Sequence, residues 1–177
     1  YYLFDKLIII PSTIVATLSK EFGVSDIGLF LTFVLTFNLA LIHQLAAQDA
    51  LSSNAHIIEK MIKYQSLLKK AARIYELCLT IKRNDNHEEQ TAYPDPSFYD
   101  LAVSNNLAIV FSLLDDQVRC RECFNCALKL LLYFINQDGN GDVFSGQLQK
   151  FLSAEEIDGF FCNVACAMYD TKVAPAA

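Results

Sequence analysis

Apolar positions along this chain recur mostly at intervals of three and four, the period of helices with one buried face. From Asp26 to about Ala50 the sequence is almost wholly apolar, with no Asp, Glu, Lys or Arg between Ile27 and Gln48. After Ser52-Ser53-Asn54, the positions Ile57, Met61, Tyr64 or Gln65, Leu68, Ala72, Tyr75 and Leu79 repeat at helical spacing, with Lys60, Lys63, Lys69, Lys70 and Arg73 mostly between them. That pattern predicts a long amphipathic helix. Residues 83–95 are polar and aperiodic, a linker or exposed loop. Asp95-Pro96 then combines a capping side chain with a proline suited to the first helical turn. A helix follows through Leu101, Leu107, Ile109 and Leu113. Asp115-Asp116 marks a turn, and another helix runs from about Gln117 to Asn136. A last helix is predicted over 154–169, ahead of an Ala/Pro tail. At the other end, residues 3–10 are rich in β-branched positions and stop at Pro11. They read as a short extended segment, a strand whose partner lies in a preceding, missing portion of a longer chain.

The fold class is therefore all-α. It is an α-solenoid of two antiparallel helical hairpins (26–82 and 96–136) and a terminal helix, with a short extended N-terminal segment, forming one domain over 1–177. Composition agrees, since 53% of residues are hydrophobic and only 19% charged, which suits a folded chain with a large interior. The net charge of −6, with Lys and Arg dispersed, argues against a nucleic-acid partner, because phosphate neutralisation needs clustered cations. The six cysteines lack the framework of a small secreted domain; most fall in apolar helical patterns, Cys162 and Cys166 among them, one turn apart like core residues. An intracellular, cytoplasmic setting is expected.

The second hairpin resembles a tetratricopeptide repeat. Asn105-Asn106-Leu107-Ala108-Ile109-Val110-Phe111, then Leu114-Asp115-Asp116, then Cys120, Phe124 and Ala127 follow that family's spacing. A small residue, Ala108, stands where the first helix meets the second. The second helix presents small, aromatic, small. The first hairpin repeats the pattern with Asn38-Leu39-Ala40 on one helix and Ala71, Tyr75 and Cys78 on the other, around an insertion of roughly twenty residues. The resemblance implies a scaffold or adaptor that holds a peptide or helix of another protein in a solenoid groove, with no catalysis and no cofactor. Asn38 and Asn106 occupy equivalent places, each two residues before the small alanine. On the family's concave face such an amide can donate to and accept from a bound backbone. These two are the predicted binding residues, and their replacement by Ala is expected to weaken a partner while leaving stability nearly intact.

Two rival readings attach to other segments. Asn136, Asp138, Asn140 and Asp142 alternate like the oxygen ligands of an EF-hand loop over 136–147, as in a calcium-responsive helical protein, but neutral Asn136 stands first and Gln147 stands where a bidentate Glu is needed. A turn ending a helix explains the same residues, so no metal site is assigned there. Residues 27–47 are long enough to cross a bilayer, as in a hydrophobic subunit of a membrane assembly. Asn38, His43, Gln44 and two threonines within them, and the lack of a basic flank, favour a buried helix instead. Cys120-x-x-Cys123-x-x-Cys126 sits on a continuous helix, where the thiols fan apart, so it is not read as a metal site. No nucleophile motif or phosphate loop is present, and no enzymatic activity is expected.

Overall fold

The computed structural model of the chain describes residues 3–8, 24–52, 56–83, 96–136 and 152–169. These contain five helices, α1 (Val24–Ser52), α2 (Ile57–Arg83), α3 (Pro96–Leu113), α4 (Gln117–Asn136) and α5 (Ala154–Tyr169), and no strand. The protein is all-helical. It forms two compact units, one of residues 5–88 and one of residues 1–4 with 89–177. The polar stretch 84–95 and most of the loop after α4 lie outside the described residues. Of the candidate calcium ligands, Asn136 ends α4, while Asp138, Asn140 and Asp142 fall outside them.

In the unit of residues 5–88, α1 packs against α2. The interface is a stripe at helical spacing, with Phe33, Phe37, Ala40, Leu41, Gln44 and Ala47 buried on α1 and Leu68, Ala71, Ala72, Tyr75 and Cys78 buried on α2. Burial drives the Cys78 thiol up to about 12, so it packs as a small apolar group. The expected face of α2 is buried only from Leu68 onward. Ile57, Ile58, Met61 and Ile62 are exposed, because the end of α1 offers only the small Ala47 and Ala50 as buried partners. On α1 itself Leu35, Leu39 and Ile42 form an exposed apolar row at intervals of four and three.

In the unit of residues 1–4 and 89–177, α3 packs on α4 and α4 on α5. Residues 101–110 of α3 are buried without a break, so this helix is enclosed on all sides. Cys120, Phe124, Ala127, Leu131 and Phe134 form the buried stripe of α4. Each small and aromatic position singled out in the two helix pairs is in the core.

The turn between α3 and α4 ends one helix and starts the next within three residues. The Asp116 N–H donates to the Phe111 carbonyl at 2.9 Å and the Asp115 N–H to the Ser112 carbonyl at 3.1 Å. This is the Schellman pattern, in which the intervening residue is left-handed. Asp115 takes that conformation at φ 60° without being glycine, a role that a short polar side chain tolerates. Asp116 then caps α4, accepting from the Arg119 N–H at 3.1 Å and from the Arg119 Nε–H at 2.6 Å. The backbone bond from Arg119, reinforced by its guanidinium, holds the Asp116 carboxyl below its usual value. The same arginine lies over the Phe111 ring, 4.2 Å from its centroid. The C″ position of the turn, which often carries an apolar residue, is here Asp116, and Phe111 is covered by Arg119 instead.

Helix α5 opens with a capping box. Glu156 N–H donates to Ser153 Oγ at 3.3 Å, and Ser153 N–H donates to Glu156 Oε2 at 2.6 Å. Leu152 and Ile157, the staple positions on either side, are both buried. The buried stripe of α5 runs through Ile157, Phe160, Asn163, Val164 and Ala167. Cys162 and Cys166 fall on the opposite side and are exposed, contrary to the expectation that they belong to the core.

The segment at residues 3–8 pairs with no strand among the described residues. The main chain of Phe4 and that of Ile8 are both held by asparagine side chains of this same chain.

Candidate binding site

A primary amide carries two donors on nitrogen and an acceptor oxygen about as far apart as the N–H and C=O of one extended residue. In an antiparallel ladder a residue exchanges both groups with its opposite number. An asparagine side chain can therefore stand in for a neighbouring strand. Both predicted binding residues do so.

Within the unit of residues 5–88, Asn38 on α1 accepts from the Ile8 N–H through Oδ1 at 2.9 Å and donates to the Ile8 carbonyl through Nδ2 at 2.9 Å. Asn38 is half-buried. On the same helix Gln44 is wholly buried and accepts from the Tyr75 hydroxyl at 3.0 Å. The Tyr75 ring meets Phe37 edge-on, with centroids 5.7 Å apart. Among the described residues Gln44 Nε2 has no hydrogen-bond partner.

Within the other unit, Asn106 on α3 repeats the device on Phe4. Its Oδ1 accepts from the Phe4 N–H at 3.1 Å and its Nδ2 donates to the Phe4 carbonyl at 2.9 Å. Here the amide is the end of a relay. Asn163 on α5 donates to Asn105 Oδ1 at 2.7 Å, and Asn105 donates in turn to Asn106 Oδ1 at 3.2 Å. All three asparagines are buried. The relay has one consistent direction. The Phe4 main chain dictates which side of Asn106 is oxygen, that oxygen dictates the nitrogen of Asn105, and the remaining oxygen of Asn105 takes the nitrogen of Asn163. Buried away from water, such a chain of amides is stiffened by its own hydrogen bonds.

The Phe4 ring is buried with its backbone. It meets Phe98 edge-on at 6.1 Å and 81°, and it stacks on Phe160 at 6.1 Å and 23°. Asp5, Lys6 and Leu7, which follow it, are exposed.

The equivalence of Asn38 and Asn106 was readable from the sequence, and each does hold extended main chain. Their accessibility was not as expected. Asn106 has no exposed surface, because Phe4 covers its amide. Its replacement by Ala would strip buried partners, so near-intact stability is not expected after all. The repeat spacing gives Asn105 no binding role and does not include Asn163. The available signal was an asparagine, Asn163, on the otherwise apolar stripe of α5. Among the described residues no group of three His, Cys, Asp or Glu side chains could hold a metal ion. No known protein family, curated protein or solved structure matches the chain.

Proposed function

We propose that this chain is a non-catalytic scaffold or adaptor of the tetratricopeptide-like kind. Its helix pairs are antiparallel hairpins that, with the terminal helix, stack as a solenoid and hold extended backbone of another protein. The observation that carries this reading is the paired asparagine device, in which equivalent residues of the two helix pairs each engage both main-chain groups of one extended residue. Main-chain recognition by an amide supplies affinity with little dependence on sequence, while neighbouring pockets supply specificity. Cys78 and Cys120 pack in the core as small apolar groups, which suits an intracellular setting.

The test is a displayed library of short peptides panned against the purified full chain and against Asn38→Ala. Asn38 is the half-buried member of the pair, so its loss is tolerated by the fold. Peptides enriched on the wild type should bind the variant about tenfold more weakly, the equivalent of ~1.4 kcal/mol for the lost amide contacts. Enrichment of nothing, or equal binding to both chains, refutes the scaffold reading.

A second reading draws on α1, the hydrophobic subunit of a membrane assembly. The stretch Ile27–Ser52 has a mean hydropathy of 1.8 over its most apolar window, and only 33% of that window is buried. Thr32 and Thr36 satisfy their hydroxyls on carbonyls one turn back, at 2.7 Å and 2.6 Å, which lowers the cost of an apolar surrounding. Such a role needs no asparagine amide, and the panning experiment separates the two.

A further inference from the structure

Phe4 is held the way a bound peptide is held. One aromatic ring is inserted, both groups of one peptide residue are paired, and the next residues point to solvent. The residues that hold it, Phe98 and Asn106 on α3 and Phe160 on α5, are remote in sequence from the segment that fills them. Asn106 Oδ1 is also held from behind by the Asn163 to Asn105 to Asn106 relay. An amide braced in this way has less freedom to lose when a main chain pairs with it.

We propose that this cradle is a peptide-binding subsite. It takes one aromatic residue of a partner's extended segment, through its ring and both its main-chain groups, and the chain's own N-terminal segment fills it in cis. The inference rests on the reading that the asparagine amides bind polypeptide, and it adds both the ligand class and a built-in competitor. A tethered occupant acts at a high effective concentration, so a free peptide meets a much weakened apparent affinity until the tethered ring is removed.

The experiment uses the full chain and a fluorescent peptide with the sequence of residues 1–8 followed by two lysines for solubility. Binding is read by anisotropy on wild type, on Phe4→Ala and on the milder Phe4→Leu, with the fold of each checked by circular dichroism. Saturable one-to-one binding to Phe4→Ala, about tenfold or more tighter than to wild type, is expected, with Phe4→Leu between them. A peptide with Ala in place of Phe4 should fail to bind. One with an N-methyl group on its Phe4 nitrogen, which removes only the N–H given to Asn106, should bind about tenfold more weakly. Equal binding to folded wild type and Phe4→Ala, or indifference to the two peptide changes, overturns the proposal. So does failure of both variants to fold, since the cradle would then exist only as core around its own Phe4. If the labelled peptide shows no preference while library peptides still need Asn38, the cradle proposal falls and the scaffold reading stands. If the labelled peptide behaves as expected but the library yields nothing, the scaffold reading falls, and the cradle is an internal latch with no foreign ligand. Formation of a dimer between wild type and Phe4→Ala, seen by sedimentation, would make the occupant a second copy and overturn the assignment to a different protein.

Discussion

Asn106→Leu is expected to destabilise the chain by about 3–4 kcal/mol, read from the midpoint of urea unfolding. The two side chains are close in size, so the loss is polar. The substitution removes the acceptor of the Phe4 N–H and the donor to the Phe4 carbonyl, and it leaves Asn105 Nδ2 without its acceptor. Each buried group stripped of its partner costs about 1–3 kcal/mol, and the apolar gain of leucine offsets part of the sum. Asn38→Leu is the internal control. It breaks the matching pair of bonds to Ile8, but at a half-buried position where water can replace the amide, so about 1 kcal/mol is expected. Equal effects at the two positions would show that burial of the relay does not set the cost.

Phe124→Ala should cost about 3–5 kcal/mol, the usual range for emptying a fully packed aromatic site. Phe124 is only 2% exposed and lies in the buried stripe of α4 between Cys120 and Ala127. That helix packs on both α3 and α5, so a cavity there would lie inside the core of the unit rather than at its rim. Ala108→Leu is the opposite perturbation on the facing helix. Ala108 has no exposed surface, and the added atoms should overpack the site at a cost of about 1–3 kcal/mol. The ordering matters more than either value. A variant of Phe124 with an unchanged unfolding midpoint would contradict the packing of this helix pair.

Much of this architecture is legible in the sequence. The start and end of α4 at Gln117 and Asn136 follow from the Asp115-Asp116 turn before it and the Gly/Asn/Asp run after it. The small and aromatic positions of both helix pairs are buried as their spacing requires. What escapes a linear reading is contact between distant or polar residues. The bond from Phe4 to Asn106 joins positions 102 apart in sequence, and no periodicity announces it. Apolar content also misleads where a face has no neighbour. Ile57, Met61 and Ile62 keep helical spacing yet stay exposed, because spacing records which residues share a face and not whether anything covers that face. Cys162 and Cys166 show the converse, with apolar character one turn apart on the outer side of α5. The capping box at Ser153 and Glu156 is the plainest signal passed over, since Ser-x-x-Glu before an apolar run is a local motif that needs no tertiary knowledge.

Amide hydrogen exchange along residues 3–8 tests the asparagine device most directly. The N–H groups of Phe4 and Ile8 donate to Asn106 and Asn38, so both should be protected relative to those of the exposed Asp5 and Leu7. Protection at Phe4 should vanish in Asn106→Leu, and protection at Ile8 should vanish in Asn38→Leu with Phe4 unaffected. Rapid, uniform exchange across the segment in the wild type, or protection that survives loss of the asparagine, would contradict the account.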